Sequence, residues 1–165
     1  MIHFPPIQTT RLLLRELTIE DAPAIFRHFS DADVTRFMDI EPCQSLQEAK
    51  EIIQFHLDDS GCRYGLFSLM TGELVGTCGY HCWVADTDGA RAEIGFDLSS
   101  KHWGQGYMQE ALGEVVKIGF KLMNLDYIEA TVETANSQCQ KLLSKLNFER
   151  EEQLRDGLYY YKLNR

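Results

Sequence analysis

No stretch of the chain approaches the roughly 18 consecutive apolar residues that a membrane helix needs, so a membrane role is not expected. The opening run MIHFPPIQTTR has no charged segment leading into an apolar one and does not read as a secretory signal. Basic residues are short relative to acids, 16 against 25, for a net charge of −9. Nucleic acid is therefore not expected as a partner, because phosphate backbones call for a basic face. The P-loop pattern G-x-x-x-x-G-K-[ST] is missing, which excludes that class of nucleotide site. Repeats, linkers and low-complexity segments are missing too. What remains is a chain of 165 residues, 44% apolar, long enough to bury a core without staples. One domain over residues 1–165 is the expectation.

Cysteine is present but unpaired in pattern. Five cysteines at irregular spacing read as reduced thiols in a cytoplasm. The run Cys78-Gly-Tyr-His-Cys82 invites a metal reading. It sits in a strand-like stretch, where at about 3.3 Å per residue the two thiols lie roughly 13 Å apart. One zinc ion cannot take both, and no metal is expected.

The most informative stretch is residues 92–121, AEIGFDLSSKHWGQGYMQEALGEVVKIGFK. Its first part reads as a strand and its last as a helix. Met108, Ala111, Leu112, Val115, Gly119 and Leu122 fall on one helical face; Glu110, Glu114, Lys117 and Lys121 fall on the other. Acids come early and bases late, as the helix dipole favours. Between strand and helix lies a loop with Gly104 and Gly106. A glycine loop entering a helix offers free N–H groups and close backbone approach to an anion, most often a phosphate. The dinucleotide pattern G-x-G-x-x-G/A is not met, because Gln109 stands at its third glycine.

Around this unit the other elements fall in order. Residues 11–17 read as a strand. Thr18 with Asp21 and Ser45 with Glu48 are capping boxes. The first opens a helix carrying Ala22, Ile25, Phe26 and Phe29, and the second one carrying Ala49, Ile52, Ile53, His56 and Leu57. His56 reads as a packed histidine, not a ligand. Residues 30–42 are loop or short helix. Strands are expected at 63–70 and 74–84, joined by a turn, with a polar connection at 85–90. A strand at 127–132 precedes a helix bearing Cys139, Leu142, Leu143 and Leu146, which Asn147 can end in the left-handed conformation. Two last strands, 148–154 and 158–163, flank the hairpin signal Asp156-Gly157. The order β-α-α-β-β-β-α-β-α-β-β is an α+β fold with a mixed sheet, against a regular βαβ alternation.

Four segments together carry a resemblance: Thr10-Arg11-Leu12-Leu13-Leu14-Arg15; Trp103-Gly104-Gln105-Gly106-Tyr107-Met108-Gln109-Glu110-Ala111; Asn136-Ser137; and Lys141-Leu142-Leu143-Ser144-Lys145-Leu146-Asn147-Phe148. With the element order, they resemble the GNAT superfamily of N-acetyltransferases, most of all its Rim-type branch, over nearly the whole chain. The residues 101–106 match that family's pyrophosphate loop, Q/R-x-x-G-x-G/A, except that Lys101 replaces Gln or Arg. The resemblance implies a mixed, mostly antiparallel, twisted sheet of about seven strands with about four helices.

It also implies acetyl-CoA as co-substrate. Pantetheine would lie along the backbone of Phe96, Asp97 and Leu98. Pyrophosphate would meet N–H groups of His102, Trp103, Gly104, Gln105, Gly106, Tyr107 and Met108, with Lys101 adding charge. Asn136 would reach the pantetheine amides or simply cap its helix. Backbone N–H groups near Leu98 would hold the oxyanion. Glu93 is the candidate base, or else an ion-pair partner of Arg91; Asp97 is a second candidate base. The acid is open, since Leu143 stands where many members have tyrosine. Cys139, where Rim-type members often have serine, could donate a proton or be a small core residue.

The expected function is acetyl transfer to an amine, foremost a peptide or protein N-terminal α-amine. A polyamine or other small amine, or a non-catalytic acyl-CoA-binding module, are the alternatives. The acceptor is expected to meet acidic loops holding Asp31, Asp33, Asp39, Glu41, Asp86 and Asp88. The chain would act as a monomer or homodimer.

Overall fold

The computed structural model describes residues 2–165. One sheet of eight strands runs in the order β1-β2-β3-β4-β5-β6-β8-β7. The strands are β1 (Ile7–Gln8), β2 (Leu12–Glu16), β3 (Arg63–Ser68), β4 (Leu74–Asp86), β5 (Gly89–Leu98), β6 (Tyr127–Glu133), β7 (Glu149–Arg150) and β8 (Leu158–Asn164). The helices are α1 (Ala22–Phe29), α2 (Ala32–Thr35), α3 (Leu46–Asp58), α4 (Tyr107–Lys121) and α5 (Ser137–Lys145). Among the described residues no helix is long and apolar enough to cross a membrane.

Strand alternation sorts the side chains into two cores. Leu12, Leu14, Leu66, Tyr80, Ile94 and Ile128 meet Leu112 and Val115 of α4 and Leu143 of α5. Leu17 and Phe67 meet Ile25 and Phe29 of α1 and Ile53 of α3. The Tyr80 hydroxyl donates to the Val115 carbonyl at 2.8 Å, fixing α4 against β4.

Several local signals appear as read. Ser45 Oγ accepts from the Glu48 N–H at 3.1 Å, opening α3. Asn147 stands at φ 67°, and the Phe148 N–H returns to the Leu143 carbonyl, closing α5. Asp156 and Gly157 have φ 51° and 78°, the paired positive values of a type I′ turn.

Other expectations change. Residues 148–154 yield only the two-residue β7, and the chain then curls so that Arg155 pairs with Glu151 and lies over the Tyr160 ring. The run Glu151-Glu152-Gln153 offers an edge strand nothing to pack. The added eighth strand is β1, held where Tyr64 donates to the Pro5 carbonyl. The polar connection at 85–90 shrinks to a turn at Thr87 and Asp88, because Gly89 takes φ 110° and Arg91 grips Asp86 at 2.7 and 2.9 Å.

The feature that positions the site is the single parallel pairing among the described strands, β5 with β6. It spans only Arg91↔Tyr127, Ala92↔Ile128 and Glu93↔Glu129. Beyond it, β5 stays on β4 through Gly76↔Leu98, while β6 stays on β8 through Glu133↔Leu158. The two strands part, and β5 keeps a partner on one edge only.

A buried charge cluster braces the parted end of β5. The Asp97 carboxylate accepts from His28 Nε2 on α1 at 2.6 Å and from Arg63 on β3 at 3.0 Å. It also accepts from the Thr77 N–H at 3.1 Å and the Thr77 hydroxyl at 2.7 Å. Burial pushes this carboxyl up, yet the bonds and charges of His28, Arg63 and Thr77 outweigh that and hold it below the ordinary range. Its stabilising effect is complete above the unfolded carboxyl's pKa of about 3.9 and drains away as pH falls through the lower folded value. Asp97→Ala strands the Arg63 guanidinium and the His28 imidazole without their acceptor in the core and is expected to cost about 3–5 kcal/mol, read as a fall in the urea unfolding midpoint at pH 7; a loss below about 1 kcal/mol, the range of an exposed pair, would show that the cluster is not a brace.

Candidate active site

The free edge of β5 runs into a loop whose backbone the glycines shape. A short 3-10 turn (Ser100–His102) follows Ser99, and Trp103 Nε1 donates back to the Leu98 carbonyl at 2.8 Å. Gly104 and Gly106 take φ 70° and 81°, left-handed values that let the chain double back and enter α4. A Cβ on Gly104 would meet no atom within 4 Å, so this backbone faces open space.

An ionic clamp holds the loop. Arg11 at the head of β2 donates to the Gln105 carbonyl at 2.9 Å and to Glu110 at 2.8 Å. Glu110 also accepts from the Arg11 N–H and the Thr9 hydroxyl, and the guanidinium lies 4.1 Å from the centroid of the Tyr107 ring. Burial raises the Glu110 carboxyl, but the bonds from Thr9 and Arg11 bring it below its usual range, so it stays charged. Sequence reasoning missed this role for Arg11. Its partner stands ninety-nine positions away, and one sequence holds no signal that joins them.

Between β5 and α5 opens a cleft of about 560 Å³. Of the residues expected at the site, Phe96, Asp97, Leu98, His102, Trp103, Gly104, Gly106, Tyr107, Met108, Asn136 and Cys139 line it. Lys101 and Gln105 stand outside it: Lys101 lies 3.8 Å from Glu73, and the Gln105 amide donates to the Lys101 carbonyl. The cleft also takes in Arg36, Lys141 and Lys145, cations that sequence reasoning did not assign to it. Asn136 Oδ1 accepts from the Cys139 N–H at 3.2 Å, an N-cap, and its amide donates to nothing among the described residues.

His102 lies edge-on to Tyr107, and its Nε2 is buried without a partner. Burial and the neighbouring Lys101 charge lower its pKa, so the ring is neutral and free to bond a ligand.

Two groups expected to do chemistry differ in kind. The Cys139 thiol is pushed by burial up to about 12. It is therefore a weaker acid than a coenzyme thiol of ordinary pKa, about 8.5, and it both packs against the core and lines the cleft. Glu93 sits at the fork, outside the cleft wall, at the last paired position of β5. Its carboxylate accepts from the Thr131 hydroxyl at 2.5 Å and lies 3.5 Å from His81 Nε2. Arg91, the alternative partner, is taken by Asp86. Burial pushes the Glu93 carboxyl up, but His81 and Thr131 more than offset it, and Glu93 is ionised at neutral pH.

The arrangement suits a long ligand with an anionic end: a strand edge for amide groups, a glycine turn at a helix start for phosphate, and three cations nearby. The residues present fit coenzyme A on the open backbone at Gly104 and the orphaned His102 nitrogen.

Known proteins point the same way. Residues 11–149 match the sequence profile of the "Acetyltransferase (GNAT) domain" family. The uncharacterized N-acetyltransferase p20 of Bacillus licheniformis is 38% identical over 154 residues, covering 91% of this chain and 85% of that protein. The [ribosomal protein uS5]-alanine N-acetyltransferase of Escherichia coli is 28% identical over 107 residues, covering 65% of this chain and 55% of that protein. The solved structure of a ribosomal L7/L12 α-N-protein acetyltransferase in complex with coenzyme A shares the fold, with a TM-score of 0.83 at 17% identity and 97% and 98% of the two chains covered. The chain belongs to the GNAT family and is an N-acetyltransferase.

Proposed function

We propose that the protein moves an acetyl group from acetyl-CoA directly to the α-amine of a peptide or protein N-terminus. The observation that carries this reading is the fork: a strand edge open beyond Glu93, running to a glycine turn, with a carboxylate at the pivot.

In this reading the backbone of Phe96 to Leu98 pairs with pantetheine amides. The N–H groups around Gly104 and Gly106 hold pyrophosphate, aided by Arg36, Lys141 and Lys145. Acetyl-CoA supplies the activated acyl group. Glu93 takes a proton from the acceptor ammonium through a water, and the freed amine nitrogen attacks the thioester carbon. An N–H of β5 near Leu98 steadies the oxyanion as the C–S bond breaks. The attacking nitrogen loses its second proton to solvent as the amide forms, and the leaving thiolate takes one up from solvent, because the buried Cys139 thiol is a weaker acid than the coenzyme thiol.

The acidity of the acceptor ammonium bears on which amine is served. Burial raises the Glu93 carboxyl, but the bonds from His81 and Thr131 hold it below its ordinary range. An α-ammonium near 7.7–8.0 is mismatched with an ordinary carboxylate near 4.3 by about 3.5 units, but a lysine-like ammonium near 10.4 by about 6. The difference is on the order of 3–4 kcal/mol against polyamines and lysine side chains. The uS5-alanine acetyltransferase among the relatives lends weight to a protein N-terminus. The negative field expected from Asp86 and Asp88 is not the relevant one, since Arg91 neutralises Asp86. Asp59, Glu129 and Glu93 all act on the Cys82 thiol and would together draw a cationic N-terminus towards the fork.

Three experiments follow. Gly104→Glu points a side chain and negative charge into the open space where pyrophosphate should lie. The strain at its left-handed φ, about 1–2 kcal/mol, leaves the fold intact. Calorimetry is expected to show loss of coenzyme A binding with little change in circular dichroism, and undiminished affinity would move the site elsewhere.

Glu93→Gln keeps the Thr131 hydrogen bond but removes the basic oxygen. We expect kcat to fall at least about ten-fold at neutral pH, below the usual span for general bases of 10²–10⁴ only if water substitutes in part, with acetyl-CoA affinity unchanged. A variant as fast as the parent across pH would make Glu93 structural.

A thiol-release assay should rank free-N-terminal peptides above spermidine and above N-acetylated lysine peptides by at least about ten-fold in kcat/KM, with the value for a cationic peptide falling as salt rises. Preference for spermidine would overturn the acceptor reading.

A further inference from the structure

On a regular strand, neighbouring side chains point to opposite faces, so His81 and Cys82 should diverge. They do not. The register of β4 on β5 shifts between His81 and Val84, and Cys82 takes φ 52°, a left-handed value uncommon for a residue with a Cβ. This bulge turns the Cys82 thiol to the side that His81 already faces. Glu93, opposite His81 in register, completes the group. One imidazole nitrogen, one sulfur and one carboxylate oxygen lie within 4.8 Å of one another. Cysteine Cys78, by contrast, is fully buried in the core.

The surroundings suit a cation. Thr131 donates to Glu93 Oε1, which orients the carboxylate and leaves Oε2 turned to His81 at 3.5 Å. Gly95 provides the room for the imidazole and for the Arg63 guanidinium, since a Cβ there would stand 3.3 Å from the ring and 3.1 Å from Arg63 Nη1; that guanidinium's charge is met by Asp97 at 3.0 Å. Asp59 and Glu129 add negative charge around the thiol. Sulfur with imidazole favours zinc-like ions over magnesium or calcium, and three protein ligands leave a coordination position open to water.

We propose that His81, Cys82 and Glu93 bind a divalent cation of the zinc class, and that the bound ion inhibits acetyl transfer by taking the Glu93 carboxylate away from the acceptor. Binding forms the metal–sulfur bond and releases the thiol proton to solvent. The inhibitory half rests on Glu93 as the base; the binding half does not.

Cobalt(II) serves as the probe on the whole chain, kept reduced with a phosphine. A thiolate-to-cobalt charge-transfer band should grow to one ion per chain, with a proton released, and zinc should erase it. Zinc should inhibit turnover where magnesium does not. Cys82 is exposed, so Cys82→Ser should fold normally and keep basal turnover. It should lose the band and bind zinc at least about ten-fold more weakly, with inhibition lost in parallel. No band in the parent, or a band that survives in Cys82→Ser, overturns the site. Zinc bound at the site with turnover unimpaired overturns the inhibitory role, and the Glu93→Gln rate then tells whether Glu93 was the base at all.

Discussion

Past Glu93, β5 has hydrogen-bonding partners on one edge only, and most of the molecule is arranged to keep it so. An unpaired strand edge next to another strand ordinarily closes, because backbone N–H and C=O groups left without partners are costly. Here β6 meets β5 only up to Glu93↔Glu129 and stays paired with β8 along its whole length. The other side of β5 is fixed by β4, and its far end is pinned through Asp97 to α1, β3 and β4 at once. The edge is thus preorganised for an extended ligand, and the cost of holding it open is met within the fold before any ligand arrives.

Charge follows the same local logic. The chain carries −9 overall, yet the cleft gathers Arg36, Lys141 and Lys145. A polyphosphate responds to the field within about a Debye length, roughly 8–10 Å at ordinary ionic strength, not to the net charge. The acids that matter lie across the fork, around Glu93. The cleft also takes in Asp33 and Asp97, but Asp97 is paired with Arg63; in the proposed reaction the anionic ligand lies on this side and the cationic acceptor comes from the side of Glu93.

What the sequence displayed and what it hid divide by range. The helix at Tyr107–Lys121, the cap at Asn147 and the Asp156-Gly157 turn rest on neighbours within a few positions, and all three appear. The glycine loop was legible for the same reason. The Arg11–Glu110 clamp and the His28–Asp97–Arg63 brace join positions 99, 69 and 34 residues apart. Nothing in the local pattern specifies such pairs. Cys82 was hidden differently. Reading residues 78–82 as a regular strand weighs Cys82 only against Cys78, and a bulge that brings its thiol to His81 and Glu93 has no glycine or proline to announce it. Asp97 shows the converse: a carboxylate in the right strand is withdrawn from chemistry by three partners that only folding supplies.

The fork itself depends on a side chain. Backbone pairing between β5 and β6 stops at Glu93↔Glu129, yet the Thr131 hydroxyl, two residues further along β6, reaches across to Glu93. A side-chain hydrogen bond takes over where the ladder ends. Glu93 therefore ties the two strands together just beyond the ladder and carries the charge at their junction. This ties its geometry to its acidity. The same bonds from Thr131 and His81 that set its position also keep it ionised and make it a weak base. In the proposed reaction, a weak base held rigidly suits an amine that gives up its proton readily.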